Sequence, residues 1–237
     1  MNKYNFILAM LAFFTIRISA QSDTSESKPT LFQISIIDSL YEGKYDGKYK
    51  LSNLLEIGDF GLGTFDKLNG EMIILNSSIY QFKDDGLVYQ SNADDTTPFA
   101  CIVKFNSNES YEIFNMKDDE LKKLIDSLIT NKNLFYALKL QGEFSYIRTR
   151  TIALQKKPYK QLNEVLKNQI VFERTNLSGT LIGFYCPSFV DKINVSGYHF
   201  HFINDELNFG GHVLNFRIDN GKLEIQKINQ LKIILPD

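Results

Sequence analysis

The run Tyr198-His199-Phe200-His201-Phe202 restricts this chain more than any other stretch. A period of two belongs to a β-strand, whose successive side chains point to opposite faces. His199 and His201 then share one face, while Phe200 and Phe202 enter an apolar layer on the other. The following residues, Ile203 to Gly211, include Asn204, Asp205 and the pair Gly210-Gly211, which suit a turn that reverses the chain and brings His212 onto the neighbouring strand. The whole chain has three histidines, and this one segment gathers them all. Three imidazoles with an open fourth position are the donor set of a catalytic zinc, because the vacant position can take water or substrate and polarise it. Zinc leads on ligand type, although nickel, iron and copper also accept imidazole. Strand alternation alone would also bring three histidines together without a metal, and that alternative stays open at this level.

The rest of the chain must supply a globular frame. With 26 Lys+Arg against 28 Asp+Glu there is no basic field for nucleic acid, and a 43% hydrophobic content excludes a disordered chain. The 19 Phe and 12 Tyr can fill a core without tryptophan, and two cysteines are too few for a disulfide framework or a cysteine-built metal site. Cys101 and Cys186 have apolar flanks and read as buried free thiols.

Residues 1–20 read as a secretory signal peptide: Lys3 is a short positive region, Phe6 to Ile16 an apolar stretch, and Ile18-Ser19-Ala20 ends in small residues suited to cleavage. The apolar stretch is too short to span about 30 Å of hydrocarbon as a helix, and no other run approaches that length. Cleavage after Ala20 would remove Lys3 and Arg17, giving 24 basic and 28 acidic residues and a soluble, mildly acidic chain secreted or held in a periplasm. Residues 21–30 are polar and read as a flexible leader.

Order is expected from Leu31. Ile34, Ile37, Leu40 and Tyr41 recur at helical spacing ahead of Gly43, predicting a helix of two to three turns. From Gly61 to Gln90 and again over Ala100 to Phe105, short apolar runs are broken by Leu68-Asn69-Gly70, Asn76-Ser77 and Asp84-Asp85-Gly86, the punctuation of antiparallel strands. Asp118, Asp119 and Glu120 suit a first helical turn, and Leu121, Leu124, Ile125, Leu128 and Ile129 form one apolar stripe behind them. Strands are predicted over Leu134 to Leu140, Glu143 to Ala153, Leu181 to Tyr185, Tyr198 to Ile203 and Val213 to Ile218, with a helix from Gln161 to Gln169. The pattern is α+β: one domain over 31–237 whose two similar halves, each helix plus mixed or antiparallel sheet, are about 31–130 and 131–237, joined near Thr130 to Asn133.

Beyond the histidine motif, Gly61-Leu62-Gly63-Thr64-Phe65, Leu68-Asn69-Gly70-Glu71-Met72-Ile73, Thr97-Pro98-Phe99-Ala100, Arg148-Thr149-Arg150-Thr151, Lys157-Pro158-Tyr159 and Gly179-Thr180-Leu181-Ile182-Gly183 stand in order along the chain. Together with Gly197 to Ile203 and Gly210 to Leu214 they resemble the acetolactate decarboxylase family. The resemblance implies a zinc enzyme, without an organic cofactor, that converts 2-acetolactate to (R)-acetoin and carbon dioxide. It implies His199, His201 and His212 as metal ligands, Arg150 as the group that holds the substrate carboxylate, and Glu71 as the residue that positions the substrate hydroxyl or relays a proton. Thr64 is implied more weakly, as a hydroxyl in the same pocket. Some family members return a second glutamate to the site from a C-terminal tail, and no residue of this chain matches it; activity is expected to rest on the ligands, Glu71 and Arg150. The family likeness also implies a homodimer with a sheet continuing across the interface.

Residue type alone says less. Glu71 reads as a solvated hairpin carboxylate, since glutamate is seldom buried, and Arg148 lies on the same strand face as Arg150, so spacing does not choose between them. Gly61-x-Gly63 lacks the third glycine and the strand-to-helix setting of a dinucleotide site, and no Gly-x-Ser-x-Gly motif occurs. Two other classes use similar histidines: a cupin-like metal-dependent oxygenase, and a secreted zinc-binding protein without activity. Neither accounts for the Glu71 and Arg150 blocks.

Overall fold

A computed structural model describes residues 28–107 and 109–235. The signal peptide expected over residues 1–20 and residues 21–27 of the expected leader lie outside the described residues. Among those described, no helix is long and apolar enough to cross a membrane.

The chain opens with β1 (Thr30–Ile34), α1 (Ile37–Tyr41), β2 (Tyr49–Lys50) and α2 (Leu51–Ile57). A meander follows: β3 (Phe60–Thr64), β4 (Glu71–Leu75), β5 (Ser78–Phe82), β6 (Val88–Gln90), β7 (Thr96–Thr97) and β8 (Phe99–Val103). After β9 (Glu109–Lys117) and α3 (Asp118–Leu128) come the long β10 (Phe135–Thr151), then α4 (Leu162–Val165), β11 (Ile170–Arg174), β12 (Leu177–Cys186), β13 (Gly197–Asn204), β14 (Gly210–Ile228) and β15 (Gln230–Ile234).

Two large sheets and the small antiparallel pair β2–β7 result, giving the α+β class expected. The first has seven strands in the order β15-β1-β8-β3-β4-β5-β6, antiparallel except for the parallel pair β1–β15. In the second, ordered β11-β10-β12-β13-β14-β9, β10 also pairs with β14. Along residues 135–144, β10 is therefore bonded to β12 on one edge and β14 on the other, while β13 bridges those two, so the four strands close into a ring. Inward-facing Leu138, Leu140, Phe144, Phe202 and Phe216 fill it, together with Leu121 and Ile125 of α3. A second cluster, including Leu62, Ile73, Phe99, Ala137, Ile182 and Phe184, packs the first sheet against the ring.

The structure alters several expectations. Ile34 ends a strand instead of starting a helix, because Thr30 to Ile34 pair in register with Gln230 to Ile234 from the far end of the chain. A long-range ladder overrides the local helical period there, and Ser35, at φ +62°, turns the chain into a helix of one turn. Gly43, at φ +84°, closes that segment as predicted. The two strands predicted on either side of Gln141-Gly142 are one strand of 17 residues. Gly142 does not break it; it lets β14 approach, since a Cβ there would fall on the Asn220 carbonyl oxygen. The helix predicted over Gln161 to Gln169 shrinks to α4 and a 3-10 turn at Leu166–Asn168. Helix α3 stands as read, its first turn closed by the Lys117 amide donating to Glu120 Oε2 at 2.8 Å. Sheet membership also crosses the expected joint near residue 130: β9 joins the second sheet and β15 the first. Cys101 and Cys186 are buried free thiols, and burial pushes the Cys101 thiol up to about 12.

Candidate metal centre

Strand β13 sends Phe200 and Phe202 into the core and His199 and His201 to the opposite face, as alternation requires. The turn at Asp205 to Phe209 reverses the chain, and β14 sets His212 directly across the ladder from His201. Gly211, at φ +121°, occupies this crossing where a Cβ would meet the Arg150 carbonyl and the Phe82 ring. One ring nitrogen of each histidine lies within 4.8 Å of the others. Gly183 allows the same close approach from the other side, because a Cβ there would fall on the His199 carbonyl oxygen.

The rings are prepared as ligands. His201 Nδ1 donates to the Met72 carbonyl at 2.8 Å, which places the proton on Nδ1 and leaves the Nε2 lone pair free. That Nε2 is buried and has no hydrogen-bond partner, an arrangement that is costly unless an electron-pair acceptor occupies the space in front of it. His199 Nε2 and His212 Nδ1 stand 3.1 Å apart; two nitrogens on one tetrahedral zinc, at bonds of about 2.0–2.1 Å, would be about 3.3 Å apart. Desolvation by burial, with Arg150 nearby, pushes His199 down to about 3, and burial likewise holds His201 and His212 well below the usual histidine range. All three are therefore neutral at pH 7, the protonation state that binds a cation. The donor set fits a divalent metal.

The carboxylate and the guanidinium reach the same place from other strands. Strand β4 presents Glu71, which is 5% exposed, and β10 presents Arg150; Arg150 Nη1 donates to Glu71 Oε1 at 2.6 Å. Glu71 Oε2 stands 3.5 Å from His201 Nε2. The solvated hairpin carboxylate suggested by residue type is thus a buried one. Burial raises its pKa, and Arg150 opposes that rise. Arg148, the other candidate, pairs instead with Glu173 at 3.3 Å, both about half exposed. Thr64 lines the cavity too, but its hydroxyl proton is committed to the Gly70 carbonyl at 2.8 Å, so only its lone pairs face a ligand.

These side chains share one cavity of about 260 Å³ at the junction of the two sheets. The rest of its lining is mostly apolar and includes Ile37, Leu40 and Tyr41 of α1, Leu162 and Leu166 at α4, Val195 ahead of β13, and Leu68, Phe99 and Ile152 on or beside the strands. None of these was named as a site residue in the sequence, where Ile37, Leu40 and Tyr41 mark only a predicted helix and the others carry an ordinary helical, strand or loop apolar signal. Two larger surface grooves, one beside Tyr45 and Tyr159 and one beside Asp94 and Asp95, contain none of the candidate residues.

Comparison with known proteins gives the geometry its context. Residues 31–237 match the family described as Alpha-acetolactate decarboxylase. An alpha-acetolactate decarboxylase from Methanosarcina mazei is 43% identical over 199 residues, covering 84% of this chain and 69% of that protein. One from Brevibacillus brevis is 40% identical over 240 residues, covering 97% and 84%. Among solved structures, alpha-acetolactate decarboxylase from Bacillus subtilis strain 168 superposes with a TM-score of 0.86 at 36% identity, covering 88% of this chain and 89% of that one.

Proposed function

The chain belongs to the alpha-acetolactate decarboxylase family, and from that premise we propose that it is a carboxy-lyase that converts 2-acetolactate to acetoin and carbon dioxide with a divalent metal, zinc by ligand type, giving the R product. The observation that carries the reading is the convergence of three neutral imidazoles and the Glu71–Arg150 pair on one small cavity.

Each residue has a task. His199, His201 and His212 would hold the metal, with the Met72 carbonyl fixing the tautomer of His201. A metal bound there would supply a Lewis acid for the negative charge that builds on the substrate's keto oxygen. Arg150 binds the substrate carboxylate through its planar donors, which fixes the bond to be broken relative to the keto group. When that bond breaks, carbon dioxide departs and its electron pair passes towards the keto oxygen. A proton must then reach the carbon that lost the carboxylate. Glu71, buried and raised in pKa, is placed to orient the substrate hydroxyl or to carry that proton. With all three imidazoles engaged as ligands, no histidine remains for acid–base work.

Family membership favours this reading over a cupin-like oxygenase or a zinc protein without activity. The reading extends to a homodimer, and to a mature protein secreted or periplasmic after cleavage near Ala20. The deciding experiment measures metal content together with acetoin formation from acetolactate, for wild type and His201→Ala. Metal and activity lost together support the reading; full turnover by a metal-free sample overturns it.

A further inference from the structure

The cavity is divided by chemistry. Its polar strand residues stand on β3, β4, β10, β13 and β14: the Thr64 hydroxyl, the Glu71 carboxylate, the Arg150 guanidinium and the three imidazoles. Its apolar lining includes residues of the short helices α1 and α4, which touch each other and contribute aliphatic side chains. A 2-hydroxy-3-keto acid has its carboxylate, keto and hydroxyl groups drawn to the polar side, so its alkyl groups must meet the aliphatic one. Leu162 and Leu40 belong to the same core cluster as Phe99, which is 2% exposed, and what distinguishes Leu162 is the element that carries it. Leu162 is the first residue of a four-residue helix, it keeps 8% of its surface exposed, and it lines the same cavity as Arg150 and the histidines without belonging to either sheet. Leu40, 5% exposed, stands beside it on α1.

We infer that Leu162, backed by Leu40, sets the upper size of the alkyl group at C2 of the substrate, so that the α1–α4 pair is the specificity filter of this cavity. The inference rests on the decarboxylase reading and adds to it which residue excludes larger substrates. Shortening Leu162 enlarges the space beside the alkyl group and leaves the ladders that hold the polar groups in place.

The test uses the zinc-loaded full chain and two substrates: acetolactate, with a methyl group at C2, and its homologue with an ethyl group there. The readout is the ratio of kcat/KM for carbon dioxide release, ethyl over methyl, taken on one preparation so that any loss of folded enzyme cancels. One methylene in an apolar pocket is worth about 10–200-fold, so Leu162→Ala should raise the ratio about tenfold and Leu162→Phe should lower it by a similar factor. Zinc per chain should match wild type in both variants. A ratio within about twofold of wild type in both variants, while wild type turns over acetolactate, overturns the filter. Loss of zinc in either variant also overturns it, since the residue would then be supporting the metal site. No release from acetolactate by loaded wild type defeats the decarboxylase reading itself, and the filter with it.

Discussion

The two sides of the cavity are held in place by different means. Glu71, Arg150, His201 and His212 stand on strands paired along both edges, so displacing any of them breaks a ladder of backbone hydrogen bonds. The facing wall includes helices of five and four residues, and α1 is docked by the Ile37 and Asp38 amides donating to the Ile193 and Lys192 carbonyls. Chemistry that needs donors placed within a fraction of an ångström sits on the sheets. Contact with alkyl groups tolerates looser placement, and it sits on elements that can change a side chain without disturbing a register.

The strongest challenge to this contrast is removal of a ligand. His201→Ala should cost more metal affinity than the roughly 10–100-fold lost with an outer-shell partner, and acetoin formation should fall with it. A chelator should lower the thermal midpoint of wild type but not of this variant, because metal bound only to the folded state stabilises it by mass action. Arg150→Lys keeps the charge and loses the planar fork; kcat/KM for acetolactate should fall about a hundredfold with zinc content unchanged, measured by steady-state carbon dioxide release and metal analysis. Retained kcat/KM would place the carboxylate elsewhere.

A third change probes the ladder that positions His199. Gly183→Ala drives a Cβ into the His199 carbonyl and the Phe200 ring, so it should destabilise the fold by about 2–3 kcal/mol in urea titration and weaken zinc binding in parallel. Loss of stability without loss of zinc affinity would show that the ring does not set the ligand geometry. The smallest effect is expected behind the helical wall. Tyr45→Phe removes the bond from its hydroxyl to the Lys160 carbonyl at 2.8 Å and should cost about 1 kcal/mol, with zinc content unaltered.

Much of the site was legible before any fold was known. The alternation at Tyr198 to Phe202 put two imidazoles on one face, and the Gly-Gly turn brought the third beside them. Glu71 and Arg150 were not legible from spacing or residue type; they came from resemblance, because the residues around each read as an ordinary hairpin and an ordinary strand. Fold errors have one physical origin. Ile34 shares a helical period with Ile37, Leu40 and Tyr41 but ends a strand, because β15 pairs with Thr30 to Ile34 from 200 residues away. Strand β9 shows almost no alternation because it is an edge strand with Ile113 as its one buried residue. Nor could local pattern disclose the wall, since Leu162 and Leu40 differ from other helical leucines only in what lies opposite.

The sequence by itself determined the cluster of three histidines, the strand-and-turn punctuation and helix α3, because each depends on residues a few positions apart and on periods of two or 3.6. Tertiary structure alone decided that Glu71 is buried against Arg150, that the Met72 carbonyl sets the tautomer of His201, and that α1 and α4 close the apolar side. Those contacts join residues 79 and 129 positions apart, and no local period encodes a separation of that length.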